Sequence, residues 1–455
     1  MISALKPYDV NKNVHRITLY NTVAADQQHT SKRPRLYLHV DMNCFYAQVE
    51  QQSYNLYGFP LIVGGWRKED GTPRGIVATS SYEARELGIK TAMSALEAQQ
   101  ICPSVVFLQV HYEKYQAISR QINKIFKRFS PDVEAYSMDE YFLDISFMLK
   151  YSREELRKFA MDLKNALYRE ASLIAALGVS YSKTYSKLSS DLKKPDGLTI
   201  VGTEEEAKKL IYPLDLDEVW GIGRRRYEKL RSRGLHTIAD AVEQGSGMFK
   251  QLFGQYFGQM LFETATGRDK AKVLEHADHI PEEVTYMHTF SDWTANPDQV
   301  RGEIAKAVRH LCYRMRGYRR KARKFGGYIR FQDQTWKGIS FVFSTGGYTN
   351  IDEYVLENCL KVAIPLLRRF LDEGHRIRGV GLHTIELTAT NQLELFFRED
   401  EKLGRLYYAT DLINNRYGLE TIQHAAQKYD VPGHTHFLDR SGKAGKPNTR
   451  TKRSV

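Results

Sequence analysis

Leu36-Tyr37-Leu38-His39-Val40-Asp41 and, about a hundred residues later, Tyr136-Ser137-Met138-Asp139-Glu140 decide how this chain reads. The first stretch is an apolar run ending on a carboxylate, the pattern of a buried strand. Residues 44–52 can follow it as a helix. Residues 133–136 and 141–145 read as a strand pair, with residues 137–140 at or near the turn. Residues 112–128 read as a helix that Pro131 follows. Residues 153–170 place Leu156, Phe159, Ala160, Leu163 and Leu167 on one face at helical spacing. Residues 175–181 give a further strand. The order strand, helix, strand pair, helix, strand is the split β-α-β, ferredoxin-like pattern. Residues 61–63, 75–78 and 105–110 read as strands of a subdomain inserted after the first helix.

A carboxylate at the end of a buried strand is costly unless it is paired or binds a cation. In the split β-α-β pattern the strand-pair turn lies beside the first strand, so Asp41, Asp139 and Glu140 converge at one end of a sheet. Their mutual repulsion would be severe without a counter-ion. Two divalent ions about 3.5–4 Å apart resolve it and suit in-line phosphoryl transfer. Oxygen-only ligands favour magnesium, or manganese, over zinc. Taken singly, each acid has an ordinary role: Asp41 as the cap of the following helix, Asp139 and Glu140 as turn residues. The three together in this strand order favour the metal reading.

The rest of the chain fits a nucleic-acid partner. It has 455 residues, 42% of them hydrophobic, and a formal net charge of +12 from 66 Lys plus Arg against 54 Asp plus Glu. That is enough for several domains, and the excess points to a polyanion. Cys44, Cys102, Cys312 and Cys359 form no Cys-x-x-Cys pair, so neither a zinc ribbon nor a disulfide framework is indicated. No apolar run reaches membrane-spanning length, and the first 35 residues lack a signal-peptide core. The expectation is a cytoplasmic protein with no membrane partner. Residues 203–272 read as mostly helical. Residues 282–387 read as a third unit, with helices over 297–316 and 354–374 and strands near 326–331, 338–343 and 380–387.

The motifs in order resemble a Y-family DNA polymerase: residues 39–50 around Asp41, Ser81-Tyr82-Glu83-Ala84-Arg85, Tyr136-Ser137-Met138-Asp139-Glu140, and residues 178–180 through 190–197. The resemblance covers residues 36–387, with a further match just beyond. It implies a multi-domain α+β right hand. A polar extension (1–34) precedes a ferredoxin-like palm (35–202) with small fingers inserted at about 53–110. A helix-hairpin-helix thumb (203–275), an α/β little-finger domain (282–388) and a tail (389–455) follow. It further implies that Asp41, Asp139, Glu140 and the backbone carbonyl of Met42 hold two magnesium ions. Tyr82, Arg85 and Lys194 would hold the incoming triphosphate, with Lys183 a further candidate nearby; an Arg fork suits phosphate oxygens. Tyr46 matches the steric gate, whose ring under the deoxyribose excludes a 2′-hydroxyl, and Phe45 beside it would be a core or stacking residue. Asn43 departs from the Asp that relatives often have, at a position the family does not use as an essential ligand.

The activity implied is low-fidelity, template-directed addition of deoxynucleoside triphosphates to a primer 3′-end during DNA damage tolerance. The primer hydroxyl would attack the α-phosphorus, one ion lowering its pKa and the other holding the triphosphate. Primer–template DNA would be gripped by the Val219-Trp220-Gly221-Ile222-Gly223-Arg224-Arg225-Arg226 turn. There Gly221 and Gly223 let the backbone approach a phosphate, with Arg224 and Arg225 following. Residues 304–332 contain ten Lys or Arg and no Asp or Glu. The whole stretch reads as a sequence-independent phosphate-binding surface, with Arg319, Arg320, Lys321, Arg323 and Lys324 as its named contacts. Gln392-Leu393-Glu394-Leu395-Phe396 looks like the bacterial sliding-clamp pentapeptide. Leu393, Leu395 and Phe396 would be its apolar anchors and Gln392 its polar guide. Kinship with polymerase IV-like or polymerase V-like enzymes stays open. The Trp220 turn and residues 407–417 lean toward the polymerase V catalytic subunit, which would bring accessory mutagenesis subunits as partners. A non-catalytic DNA-binding scaffold and a nucleotide cyclase are the rival readings. The intact acids argue against the first, and the hairpin, basic stretch and clamp peptide against the second.

Overall fold

A computed structural model describes residues 34–67, 70–274, 281–331, 338–389, 401–417 and 421–422. The pentapeptide at 392–396, the extension before residue 34 and the tail beyond residue 422 lie outside the described residues. The chain forms two compact units. Of the described residues, one holds 34–65, 76–109 and 114–274, and the other 66–75, 110–113 and 281–422.

The first unit is organised by β1 (Tyr37–Met42). Tyr37, Leu38, Val40 and Met42 are all buried, so the strand is covered on both faces and reads as a continuous apolar run. After α1 (Phe45–Tyr54) comes the insert, with β2 (Leu61–Val63), β3 (Thr79–Ser80), α2 (Tyr82–Glu86), α3 (Ala95–Ile101) and β4 (Val106–Leu108). Its small sheet has the order β3-β2-β4, over a core of Ile62, Val77, Ala84, Ile89, Ala98, Cys102 and Val105. The strand expected over 75–78 does not form. Ile76 makes one isolated bridge to Ser94, and the strand lies just downstream at β3.

The chain returns through α4 (Tyr112–Phe126), β5 (Val133–Ala135), β6 (Glu140–Asp144), α5 (Arg153–Ala171), β7 (Ala175–Ser180), α6 (Lys183–Asp191) and β8 (Leu198–Val201). The sheet order is β8-β7-β1-β6-β5, with β1 antiparallel to both β6 and β7. That is the expected split β-α-β arrangement with one added edge strand, β8, parallel to β7. Helix α5 starts in a Ser152–Glu155 capping box and buries the five residues expected of it, together with Ala166. Helix α6 lies so close to β7 that a Cβ at Gly178 would stand 2.0 Å from the Ser186 carbonyl oxygen and 2.4 Å from the Ser190 nitrogen. Only glycine permits that approach, and it brings the α6 side chains over the sheet.

Helices α7 (Glu204–Leu210), α8 (Arg224–Arg231), α9 (Ile238–Gln244), α10 (Ser246–Phe253) and α11 (Gln255–Ala265) complete this unit. Their core runs through Leu216, Val219, Ile222, Leu230, Ile238, Phe249 and Leu261, and Tyr185 of α6 joins it.

In the second unit a four-stranded sheet of order β9-β12-β10-β11 is built from β9 (Thr285–Thr294), β10 (Arg320–Phe331), β11 (Gly338–Thr349) and β12 (Ile377–Ala389). Helices α12 (Pro297–Gly317) and α13 (Asp352–Asp372) pack on it through Ile304, Val308, Leu311, Met315, Val355, Cys359, Ala363 and Leu367. A final helix, α14 (Glu401–Tyr417), is held by Asp411 against Arg316. Strand β9 was not anticipated.

Candidate active site

The β1–β6 register sets Asp41 opposite Glu140. One residue on, the Met42 N–H donates to the Asp139 carbonyl at 2.8 Å. The two acidic stretches therefore meet through backbone pairing at one end of the sheet, as the strand order required. Ser137 shapes the turn: its hydroxyl accepts from the Glu140 N–H at 3.0 Å and donates to the Asp139 carboxylate. The capping role for Asp41 is not realised, because α1 starts at a left-handed Cys44 with no side-chain cap.

The carboxylates feel one another. Burial pushes the Asp139 carboxyl up, Ser137 works against that, and Asp41 pushes it further up. Glu140 is raised first by burial, against the pull of Lys187, with Asp41 and Asp139 adding to the rise. Two lysines offset part of the cluster's charge. Lys194 donates to Asp41 at 2.8 Å and pairs with Asp191 at 2.6 Å, and Lys187 pairs with Glu140. Burial opposes the charge on Lys194, but Asp41 and Asp191 overcome it and hold the ammonium above its ordinary range.

Among the described residues no three His, Cys, Asp or Glu side chains close into a metal cage. The donors nonetheless fit a hard divalent cation: they are all oxygen, they repel one another, and they recruit cations from the chain itself.

Tyr82 and Arg85 sit on α2, which Ser81 caps by accepting from the Ala84 N–H at 3.3 Å. Arg85 donates from Nε to the Ser80 carbonyl at 3.1 Å, and its guanidinium lies 5.1 Å from the Tyr82 ring centroid. Burial raises the Tyr82 phenol; Asp41 adds to that rise, while Arg85 and Lys194 oppose it. The Tyr82 phenol is thus within electrostatic reach of Asp41 and Lys194. Tyr46 is half-buried on the first turn of α1, and Phe45 beside it is core. Asn43 is buried and donates to the Pro195 carbonyl, bracing the β1–α1 turn against the Lys194 loop.

Lys183 is not brought to this cluster. It is 6% exposed, and its ammonium donates to both Glu134 oxygens, at 2.8 and 2.7 Å, and to the Lys272 carbonyl at 3.3 Å. The lysine that reaches Glu140 is Lys187, one helical turn further along α6. Sequence reasoning missed it, although its i+4 relation to Lys183 was visible. Trp220 of the glycine turn also packs beside Lys187 and the aromatic side chains of Tyr136 and Phe142. Its indole lies 5.1 Å from the Tyr136 ring, 5.3 Å from the Phe142 ring and 5.6 Å from the Lys187 ammonium.

In the same turn Gly221 has φ +82, which favours glycine, and Gly223 caps α8 with no side-chain bond. Arg224 and Arg225 are exposed, the former paired with Glu228 at 3.0 Å, while Arg226 turns back to the Gly221 carbonyl. In the second unit Arg319 is exposed, and Arg320, Lys321, Arg323 and Lys324 are half-buried along the start of β10. Arg323 and Lys324 share Glu386 at 3.5 and 3.2 Å, surface pairs that do little to mask the charge. The basic stretch is not all surface, however. Arg316 is largely covered and lies between Asp352 and Asp411, at 2.8 and 2.6 Å, and Lys306 pairs with buried Glu303 at 3.1 Å. These two are structural cations.

The fold and the paired acids define a class, α+β proteins with a carboxylate cluster at one end of a split β-α-β sheet. Residues 40–191 match the impB/mucB/samB family and residues 281–395 match that family's C-terminal domain. The DNA polymerase IV of Pelotomaculum thermopropionicum is 32% identical over 394 residues, covering 85% of this chain and 93% of that protein. The DNA polymerase IV of Clostridium perfringens strain SM101 is 32% identical over 359 residues, covering 78% and 96%. A solved Y-family DNA polymerase chimera of Dbh and Dpo4 shares the fold at a TM-score of 0.64 and 23% identity, covering 78% of this chain and 99% of that one. The chain belongs to the Y family of DNA-directed DNA polymerases. Both relatives carry the polymerase IV name. Among the described residues no helix is long and apolar enough to cross a membrane.

Proposed function

We propose that this chain carries out translesion synthesis, adding deoxynucleotides to a primer end opposite damaged template with Asp41, Asp139 and Glu140 as the catalytic acids. The observation that carries this reading is the backbone pairing of Asp41 with Glu140 and of Met42 with Asp139. Asp41, Asp139, Glu140 and the Met42 carbonyl would hold two magnesium ions, with manganese as a substitute. When bound, such ions supply Lewis-acid stabilisation of the transferring phosphoryl group.

The chain's own groups do the rest. Ser137 orients Asp139 through its hydroxyl. Arg85, pinned at Nε, keeps its terminal nitrogens for triphosphate oxygens, and Tyr82 packs beside it. Lys194 adds a second positive charge from the sheet side. Tyr46 offers a ring face to the sugar. Gly221, Gly223, Arg224 and Arg225 would take phosphates of the duplex, as would Arg319, Arg320, Lys321, Arg323 and Lys324. Gln392, Leu393, Leu395 and Phe396 fit a bacterial sliding-clamp pocket.

The test is primer extension by the purified chain on undamaged and abasic templates with magnesium or manganese. Extension past the abasic site is expected. Synthesis confined to the undamaged template would reject the translesion role, and extension only after accessory proteins are added would favour a polymerase V-like assembly.

A further inference from the structure

The face of α1 that carries Tyr46 repeats every four residues as Tyr46, Glu50 and Tyr54, so the three stack along one side of the helix. Lys114 and Tyr115 of α4 meet that side. The Tyr115 ring lies parallel to Tyr46, centroids 4.3 Å apart and planes 14° apart. Its hydroxyl donates to Glu50 Oε1 at 2.7 Å, and Lys114 donates to Glu50 Oε2 at 2.8 Å. Tyr115 and Glu50 are both fully buried. Phe45 closes the group, 5.7 Å from Tyr46 and 6.2 Å from Tyr115. The Lys114 ammonium also lies 5.6 Å from the Tyr54 ring.

A buried carboxylate is tolerated when its partners satisfy it, and here both oxygens are engaged. Glu50 therefore fixes the Tyr115 hydroxyl by a charge-assisted bond, and Tyr115 in turn fixes the plane of the Tyr46 ring. A ring that excludes one oxygen atom works by collision. It discriminates only if it cannot swing aside.

We propose that Tyr115, held by Glu50, is a positioning residue for sugar selection: it locks the Tyr46 ring and so sets the discrimination against ribonucleotides. This rests on Tyr46 being the steric gate, and the experiment separates the two. Single-nucleotide insertion is measured with a deoxynucleoside triphosphate and the matching ribonucleoside triphosphate, for wild type, Tyr46→Ala, Tyr115→Phe, Tyr115→Leu and Glu50→Gln. The readout is the ratio of kcat/KM for the two sugars. Tyr115→Phe keeps the stack and removes the tether, so the ribonucleotide share rises a few-fold while deoxynucleotide insertion stays near wild type. Tyr115→Leu removes the stack as well, and the share rises roughly tenfold, the upper end of what one aromatic pair supplies. Glu50→Gln follows Tyr115→Phe.

A merely structural role would lower both substrates together and leave the ratio unmoved. If Tyr46→Ala admits ribonucleotides and neither Tyr115 variant shifts the ratio, the gate stands and the positioning role falls. If Tyr46→Ala leaves the ratio unchanged, the gate falls and the proposal with it. Should Tyr115→Leu fail to fold, Tyr115→Phe and Glu50→Gln still decide.

Discussion

Replacing Lys183 with Met distinguishes a structural lysine from a substrate-binding one. The Lys183 and Glu134 side chains are 7% and 11% exposed, and they meet at 2.7 Å. Glu134 also accepts from the Leu274 N–H at 2.8 Å, while Lys183 donates to the Lys272 carbonyl and lies 4.6 Å from the Phe142 ring centroid. The pair thus straps residues 272–274 to the sheet. Removing one partner of a buried pair leaves the other charged and poorly solvated, which costs about 3–5 kcal/mol. At about 2–4 °C per kcal/mol for a domain of this size, the melting temperature should fall by roughly 10 °C. Thermal unfolding followed by circular dichroism reads the shift. Steady-state insertion at a permissive temperature reads KM for the triphosphate, which should stay within about twofold of wild type. Lys194→Met should behave in the opposite way, with a small melting shift and a raised KM. A Lys183→Met protein that melts like wild type but binds triphosphate poorly would refute the assignment.

Gly178→Ala should cost about 3 kcal/mol in stability and lower insertion activity, because the new methyl collides with the α6 backbone and displaces Lys187 from Glu140; chemical denaturation and primer extension read the two effects. Burial pushes Glu303 up, but His288 and Lys306 outweigh it and bring its pKa down to about 2. Its folded value therefore lies below the ordinary one, so its stabilisation is complete above about pH 5 and is lost as the pH falls toward 2. Wild type should lose about 3 kcal/mol more than Glu303→Gln across that window in acid titration of unfolding. The Arg224→Ala, Arg225→Ala double variant should flatten the dependence of log affinity for primer–template on log salt by roughly two phosphates' worth, read by fluorescence anisotropy.

The sheet that carries the acids was legible because its strands are short apolar runs, with Asp41 near the end of one and Glu140 at the start of another. Helix α5 was legible from its spaced apolar face; the Ser152–Glu155 box that starts it is a feature of the structure. Strand β9 escaped because it is an edge strand with mixed polarity, Thr285 through Thr294, and its register slips between Thr289 and Thr294. The strand expected at 75–78 gave way to β3, since apolar Val77 fills the core of the insert from a loop. At the site, residue type and order pointed to Asp41, Asp139 and Glu140. They did not separate Lys183 from Lys187, because two lysines one turn apart on α6 look alike until the sheet assigns one to Glu134 and the other to Glu140. Arg316 shows the same limit. Ten basic residues in a row of 29 read as a surface, yet one of them points inward to Asp352 and Asp411.

Everything turns on the acids that meet across β1 and β6. Single-turnover insertion of one deoxynucleotide by Asp139→Ala, with circular dichroism verifying the fold, addresses them most directly. A rate reduced by more than about a hundredfold is expected, because even partners one shell removed from a metal cost about 10–100-fold. An insertion rate within twofold of wild type, in magnesium and in manganese, would contradict the assignment.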